Sequence, residues 1–521
     1  MPAVGQRARW WAFGALAIAV LTVGLDNTIL SVAAPTLATS LNASTADLQW
    51  FTTAYMLVMA AFIVPAGGLG DRFGRRRLLL AALFLFGASS AACAFAGSAG
   101  TLIGARVVLG LAAAFSLPLS LSIIPVLFSD REERFRVMAM WVALGTVGAA
   151  LGPVVGGALL AHFWWGSVFL INVPFVAIGM VGVALLVPES RSSQAGPVDI
   201  PGVLLSAAGL VGVTYGFISS GQRGWSDAWT WLPILLGAAL LVLFAWWEVR
   251  VAFPLIDLGL FRNRSFCAGT VTATLYNFAV FGLLFAVPQF LQAVGGYDPL
   301  GTGLRLLPMI LGTTIGTRFV TTSARRIGTR GTIALGFAIS TAGLALGVAT
   351  QPGTGYLVIA TWMTMVATGV GLGLPGSLNA AMSALSTERS GAGSGLVQSL
   401  RQVGAAVGVA VLGAVLSSGY RGGVDLAGLP QPARESTLDS VGSGVQVAHR
   451  LGDDHLLHSV RSAFTHGMDT MLLVCAILTC AGAVVAMFMV PRRTSRALPQ
   501  SVLENRASVD NVDAALDVEV R

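Results

Sequence analysis

FTTAYMLVMAAFIVPAGGLGDRFGRRRLLLAALFLFGASSAACAFA, from Phe51 to Ala96, holds two apolar runs joined by a turn that sets Arg72, Arg75, Arg76, Arg77 and Asp71 among glycines. Each run is long enough to cross a hydrocarbon core of about 30 Å as a helix, and the short turn sends the second crossing back antiparallel to the first. The same alternation continues in both directions. Spans are expected at 10–37, 49–69, 78–97, 101–127, 137–161, 166–188, 200–220, 229–249, 266–292, 300–322, 331–350, 355–381, 395–418 and 468–490, fourteen in all. Composition agrees: 55% of the 521 residues are apolar and 11% are charged, against about 25% charged in ordinary soluble domains. The chain reads as an all-α polytopic membrane protein, and an even number of spans puts both termini on one side.

The formal net charge is +7. In a soluble protein this would suggest nucleic-acid binding, but the basic residues sit in loops between spans and set orientation instead. The loops on the N-terminal side carry Arg72, Arg75, Arg76 and Arg77, then Arg131, Arg134 and Arg136, then Arg262 and Arg264, then Arg325, Arg326 and Arg330. The opposite short loops carry only Arg223. Both termini are therefore expected in the cytoplasm, with the protein in the cytoplasmic membrane and no nucleic-acid partner. All basic residues apart from histidine are arginines. Without lysine the chain can build neither a Walker A loop nor a Schiff base, so P-loop ATP hydrolysis and retinal or pyridoxal chemistry are excluded. The four cysteines, Cys93, Cys267, Cys475 and Cys480, fall in apolar segments and read as small hydrophobes, not as a disulfide framework. The first apolar run follows Arg7 and Arg9 as in a signal peptide, but its length, its Asp26 and the spans behind it mark a retained helix.

Residues 1–9 form a cytoplasmic N-terminus, and the polar tail 491–521 reads as disordered. The long loop 417–467, opposite the termini, has apolar residues from Leu438 to Val460 spaced for a short amphipathic hairpin. Its Asp453, Asp454, His455 and His458 read as a solvated polar face, and no metal site is expected.

Charged side chains inside spans are costly, about 2.5 to 3.5 kcal/mol at mid-bilayer, so those that survive are functional candidates. Asp26, in GLDNTILSVAAP (Gly24 to Pro35), is the acid placed near the middle of a span. Desolvation disfavours its charged form and fits it to bind and release a proton near neutral pH. The alternative is a carboxylate simply paired within the bundle. Arg106 and Arg401 are the embedded cations, with Arg305 near the end of a span; each requires a partner or a wet cavity. Arg106 either drives release of a proton from a nearby acid or forms a fixed ion pair.

GGLGDRFGRRR, Gly67 to Arg77, suits a tight turn in which Asp71 pairs with arginines or a helix N-terminus, either as a latch or as a plain topogenic loop. An echo, ARRIGTRG from Ala324 to Gly331, matches Arg72, Gly74 and Arg76 at Arg326, Gly328 and Arg330, and hints at an internal repeat. In GTVGAALGPVVGG, Gly145 to Gly157, the residues Gly145, Gly148, Gly152 and Gly156 lie at helical spacing beside Pro153. That stripe lets helices pack closely and bends the span.

In combination these strings resemble the major facilitator superfamily, specifically its fourteen-span drug:proton antiporters such as the QacA-like and methyl-viologen exporters. The resemblance runs from about Trp10 to Val490. GGLGDRFGRRR is similar to the family's loop motif, LDNTILSVAAP to its first-span motif and GTVGAALGPVVGG, with Gly157, to its antiporter motif. ARVVLG (Ala105 to Gly110) matches the fourth-span motif except that Leu109 replaces the usual Gln, and FWWGSVFLINVPF (Phe163 to Phe175) is similar to the start of the sixth span. The resemblance implies the major facilitator fold: two six-helix bundles, 10–188 and 266–490, with two inserted helices in 200–249. It implies that Asp26 carries the proton with help from Arg106, and that Gly67, Asp71, Gly74, Arg75 and Arg76 form a conformational latch.

The implied activity is proton-coupled export of hydrophobic drugs or antibiotics, with no enzymatic step and no cofactor beyond the proton gradient. The partners are a lipophilic small molecule, protons and membrane lipid, and the protein is expected to act as a monomer. The alternative is a dedicated exporter of a lipid, a peptide or an endogenous metabolite. Cation exporters of the QacA type carry acids in the second and thirteenth spans, where this chain has Thr53, Gln398 and Gln402 near Arg401. The expected substrate cavity residues are Tyr55, Tyr276, Asn277, Gln289, Gln398 and Arg401.

Overall fold

In the computed structural model, which describes residues 6–191, 199–385 and 390–491, the described spans are helices and no strand occurs among the described residues. The first six spans are Gln6–Ser40, Thr45–Phe73, Arg75–Ala94, Ala99–Leu127, Arg131–His162 and a sixth made of Ser167–Leu170 and Asn172–Leu186. The seventh and eighth are Ile200–Arg223 and Ala228–Glu248. The ninth, Arg264–Gln289, ends in a π-helical turn, Phe290–Val294; the twelfth and thirteenth are Tyr356–Met382 and Ser390–Gly423, and the fourteenth is Asp454–Met489. Expectations for the tail lie outside the described residues.

The tenth and eleventh spans form one nearly continuous helical run, Pro299–Gly347, of 49 residues. At 1.5 Å per residue such a run would be about 74 Å long, far more than one crossing of about 30 Å. It is broken at Gly328, whose φ of 75° and ψ of 167° are not helical. Gly328 therefore divides two crossings, so among the described residues the thirteen apolar helices recognised by length and composition amount to fourteen spans. Gly74, its counterpart in the first turn, also has positive φ, 110°. A residue with a Cβ is strained there, so both glycines answer the same backbone requirement between the second and third helices of each half. The sequence echo is thus a structural repeat.

Span ends follow local capping chemistry. Ser44 and Asp47 form a reciprocal capping box on the second span, and Ser98 and Thr101 form another on the fourth. Asp130, Asp227, Asn263 and Asp453 cap the fifth, eighth, ninth and fourteenth. The sixth span breaks at Ile171 because Pro174 has no N–H to give to the Leu170 carbonyl. That break sets Asn172 at the head of a new helix.

The first span packs along the fifth, the second along the fourth, the ninth along the thirteenth and the twelfth along the run containing the tenth and eleventh. The seventh and eighth pair with each other, and the seventh lies against both the second and the thirteenth. Ser417 Oγ donates to the Gly221 carbonyl at 3.2 Å, and the Trp50 and Tyr215 rings meet at 6.2 Å. The inserted pair thus sits on the seam between the halves. The eighth span turns Leu235, Leu236 and Val242 outward, as a lipid-facing helix would.

One end of the bundle carries the arginine-rich turns; the far face carries the loop 417–467. That loop is more helical than the hairpin expected of it: Gln431–Asp439 and Val441–Leu451 are short helices, and the last span begins as early as Asp454. Hydropathy marks only the membrane-crossing part of that final helix, so its polar first turns were not legible as span. The short helices bury Val441 and Ala448. Tyr420 Oη donates to the Thr437 carbonyl at 2.7 Å and Thr45 Oγ1 to the Asp439 carbonyl at 2.9 Å, which ties the loop to both halves. His455 and His458 are exposed.

Candidate functional site

Asp26 lies inside the first span with 0% exposure, and Arg106 in the fourth with 1%. Arg106 Nη1 donates to Asp26 Oδ2 at 2.8 Å, and Nε donates to the Phe51 carbonyl at 2.8 Å. The guanidinium also stands 4.4 Å from the centre of the Tyr55 ring, whose electron-rich face favours a cation. The other carboxylate oxygen, Oδ1, accepts from Asn172 Nδ2 at 3.0 Å, and the same amide nitrogen lies 3.3 Å from Ser90 Oγ. Five spans thus meet at one carboxylate: the first, second, third, fourth and sixth. The close approach of second and fourth spans depends on Gly110, where a Cβ would lie 3.0 Å from Tyr55 Cα.

Such a buried pair is held only while both partners and their hydrogen bonds persist, because either charge alone in this setting is costly. Neutralising Asp26 removes the counter-charge of Arg106 and leaves that arginine with the Phe51 carbonyl and the Tyr55 ring. The contact between the first and fourth spans therefore depends on the charge at both ends of this pair.

In the glycine-rich turn, Arg75 reaches Asp71 Oδ1 through both Nε and Nη2 at 2.8 Å, and Nη1 donates to the Ser122 carbonyl at 3.1 Å. Arg76 donates to the Ala184 carbonyl of the sixth span. Glu189 sits over the start of the third helix: its carboxylate accepts from the backbone N–H groups of Arg76 and Arg77, both at 3.2 Å. A carboxylate at a helix N-terminus is favourable through both these bonds and the helix dipole. A Cβ at Gly74 would stand 2.8 Å from that carboxylate. The turn therefore fastens the second, third, fourth and sixth spans together.

The fifth-span glycines meet the first span backbone to backbone. A Cβ at Gly152 would come within 2.9 Å of Ile29 N and Leu25 O, and one at Gly156 within 2.8 Å of Ile29 Cγ1. Gly145 faces Val20, and Gly148 faces Leu21. Thr28 Oγ1 adds a bond to the Ala149 carbonyl at 2.7 Å. Gly157 faces elsewhere: its Cβ would lie 3.0 Å from Leu300 Cα in the tenth span, while Gly303 approaches Pro153 and Val154 from the other side. The stripe thus binds the fifth span to the first, and its end touches the other half.

The six residues expected in a substrate cavity are distributed differently from one another. Tyr55 is buried against Arg106, within the first six spans. Tyr276 is buried among the last six, stacked on Phe337 with ring centres 3.9 Å apart, and Tyr276 Oη donates to the Ile333 carbonyl at 3.2 Å. Asn277 and Gln289 are buried in the ninth span; Gln289 Nε2 bonds its own helix at the Phe285 carbonyl, 2.7 Å away. Gln398 and Arg401 are half-buried in the thirteenth and bond each other, Nη1 to Oε1, at 2.8 Å. A cleft between the first, second and ninth spans is lined by Asn27, Ser31, Thr52 and Phe281.

Two residues of these sites were not singled out from the sequence. Asn172 was visible as an amide inside an apolar run, two residues before the proline that breaks the helix. Glu189 was visible only as an acid at the end of the sixth span; nothing in the sequence paired it with a turn far upstream.

Residues 16–409 match the profile of the Major Facilitator Superfamily. The multidrug efflux pump LfrA of Mycolicibacterium smegmatis is 34% identical over 480 residues, covering 91% of this chain and 95% of the relative. The methyl viologen resistance protein SmvA of Salmonella typhimurium is 32% identical over 488 residues, covering 90% and 97%. Among solved structures, a bacterial homologue of the human lysosomal transporter Spinster, in an inward-facing and unoccupied conformation, superposes with a TM-score of 0.66 at 18% identity, covering 95% of this chain and all of that one. The chain belongs to the major facilitator superfamily.

Proposed function

We propose that the protein exports lipophilic drugs or antibiotics from the cytoplasm in exchange for protons. The observation that carries the reading is the buried contact of Asp26 with Arg106 and Asn172, a carboxylate whose charge is balanced inside the membrane-spanning bundle. The names of the relatives, a multidrug efflux pump and a methyl viologen resistance protein, support the substrate class. In this reading the arginine-rich face is cytoplasmic, with both termini on it, and the protein works as a monomer in the cytoplasmic membrane. The first six and last six spans act as the two moving halves.

A proton reaching Asp26 loosens its hold on Arg106, and the first span gains freedom relative to the fourth. Because the first span is packed so closely on the fifth, the two move as a unit. The fifth touches the tenth at Gly157 and Gly303, so the change arrives at the seam between the halves. The Asp71–Arg75 turn with Glu189 keeps the second, third, fourth and sixth spans rigid while this happens. For a neutral substrate, one proton entering across a pH difference of one unit and a potential of about 100 mV supplies roughly 1.4 and 2.3 kcal/mol, about 3.7 in total. That sustains a gradient on the order of 500-fold.

The test is accumulation of a fluorescent neutral drug in efflux-deficient cells expressing wild type or Asp26→Asn, with and without a protonophore. Wild type should lower accumulation, and both the substitution and the protonophore should abolish the effect at equal membrane abundance. Efflux that survives Asp26→Asn would remove Asp26 from the coupling step.

A further inference from the structure

We propose that Arg401, with Gln398 and Gln402, holds the anionic group of the transported molecule, so that the preferred substrates are lipophilic monoanions; this rests on the exporter reading above. The three embedded arginines differ in how their charge is met. Arg106 faces the Asp26 carboxylate. Arg305 lies at the far face, 3.6 Å from the Tyr297 ring centre, and bonds the Gly301 carbonyl at 3.2 Å. Arg401 is in ion-pairing range of no carboxylate among the described residues. Among the described residues its hydrogen bond goes to the neutral amide oxygen of Gln398, and its Nε is enclosed with no acceptor among them.

A cation within a membrane-spanning bundle is costly without a counter-charge, and guanidinium meets a carboxylate with two parallel hydrogen bonds. The place suits a transported anion. On the neighbouring turn, Ser399 Oγ donates to the Ala60 carbonyl at 2.6 Å and Gln402 Nε2 to Met59 Sδ at 3.3 Å. Arg401 therefore stands beside the contact of the second and thirteenth spans, where the halves meet. The Gln402 amide is spent on a thioether, a weak acceptor, and is readily redirected to a carboxylate. Thr53, Gln398 and Gln402 supply no negative charge to repel one. Exchange of one proton for a monoanion also moves two charges per cycle, so the membrane potential drives it twice as steeply as it drives export of a neutral molecule.

The experiment uses the full chain in nanodiscs of zwitterionic lipid and two fluorescent probes identical except that one carries a carboxylate and the other its carboxamide. Wild type should bind the carboxylate roughly 10-fold more tightly than the amide. Arg401→Gln should erase that preference while leaving amide affinity within about twofold, and Arg401→Lys should retain part of it. Equal wild-type affinities, absence of binding by both probes, or equal weakening of both by Arg401→Gln would overturn the proposal. So would loss of the preference when anionic lipid is added to the disc, since the guanidinium would then serve a headgroup. In proteoliposomes the carboxylate should move with two charges per cycle and the amide with one. Asp26→Asn separates the two readings: it should bind the carboxylate as wild type does but fail to export it. Continued export by Asp26→Asn, alongside loss of carboxylate preference in Arg401→Gln, would defeat proton coupling at Asp26 and leave the anion site standing.

Discussion

Asn172 donates to Asp26 Oδ1 at 3.0 Å while Arg106 takes Oδ2 from the other side. The carboxylate is thus held by a cation and a neutral amide on different helices. A donor to a carboxylate favours its charged form. Replacing Asn172 by Leu removes that donor and leaves Oδ1 buried without it, so the protein should lose about 1 to 3 kcal/mol of stability and transport should slow. Thermal unfolding of Asn172→Leu in detergent and its transport rate in proteoliposomes check this; unchanged stability and rate would show that Oδ1 does not need the donor from the sixth span.

Loss of the partner carboxylate leaves a buried arginine. Asp26→Asn should destabilise the protein by about 3 to 5 kcal/mol, the usual cost of breaking a buried pair from one side. Asp26→Asn combined with Arg106→Gln should regain thermal stability in detergent without regaining transport. Recovery of proton-driven transport in the double variant would show that the pair is structural.

The Tyr55 ring, not its hydroxyl, meets Arg106; Tyr55 Oη is buried without a hydrogen-bond partner. Tyr55→Phe should therefore transport as wild type does. Tyr55→Leu should lose about 1 to 2 kcal/mol of stability along with the cation–π contact. Equal loss in both variants, read by thermal unfolding and export rate, would move the role to the hydroxyl.

Gly157 and Gly303 give the seam its closeness on the far face. Gly157→Val should reduce export about 10-fold or more at normal membrane abundance, because the added carbons meet Pro299 and Leu300 where helices otherwise touch. Cysteine labelling on the far face should rise in the same variant. Unchanged labelling and export would show that this contact does not gate the path.

Glu189 caps the third helix through two backbone N–H groups. Glu189→Gln should cost about 0.3 to 1 kcal/mol of stability at low salt, and the deficit should shrink as salt is added. A deficit independent of salt would point to lost packing against Gly74.

The sequence by itself determined the class of fold, because a span announces itself by its own length and apolarity: roughly 20 apolar residues cross a bilayer whatever lies beside them. It also singled out Asp26 and Arg106 as candidates, since charge inside such a span is costly enough to be noticed residue by residue, and it hinted at the repeat through the matching strings around Gly74 and Gly328. Pairings between distant segments are set by how helices pack, and packing leaves little local trace. Only the tertiary structure joined Asn172 to Asp26 and Glu189 to the Gly74 turn, and set Tyr276 against Phe337 inside the second half. It likewise separated Arg401, which faces a neutral amide, from Arg106, which faces an acid: the two arginines look alike in sequence, and their charge is met only by what the folded chain brings beside them.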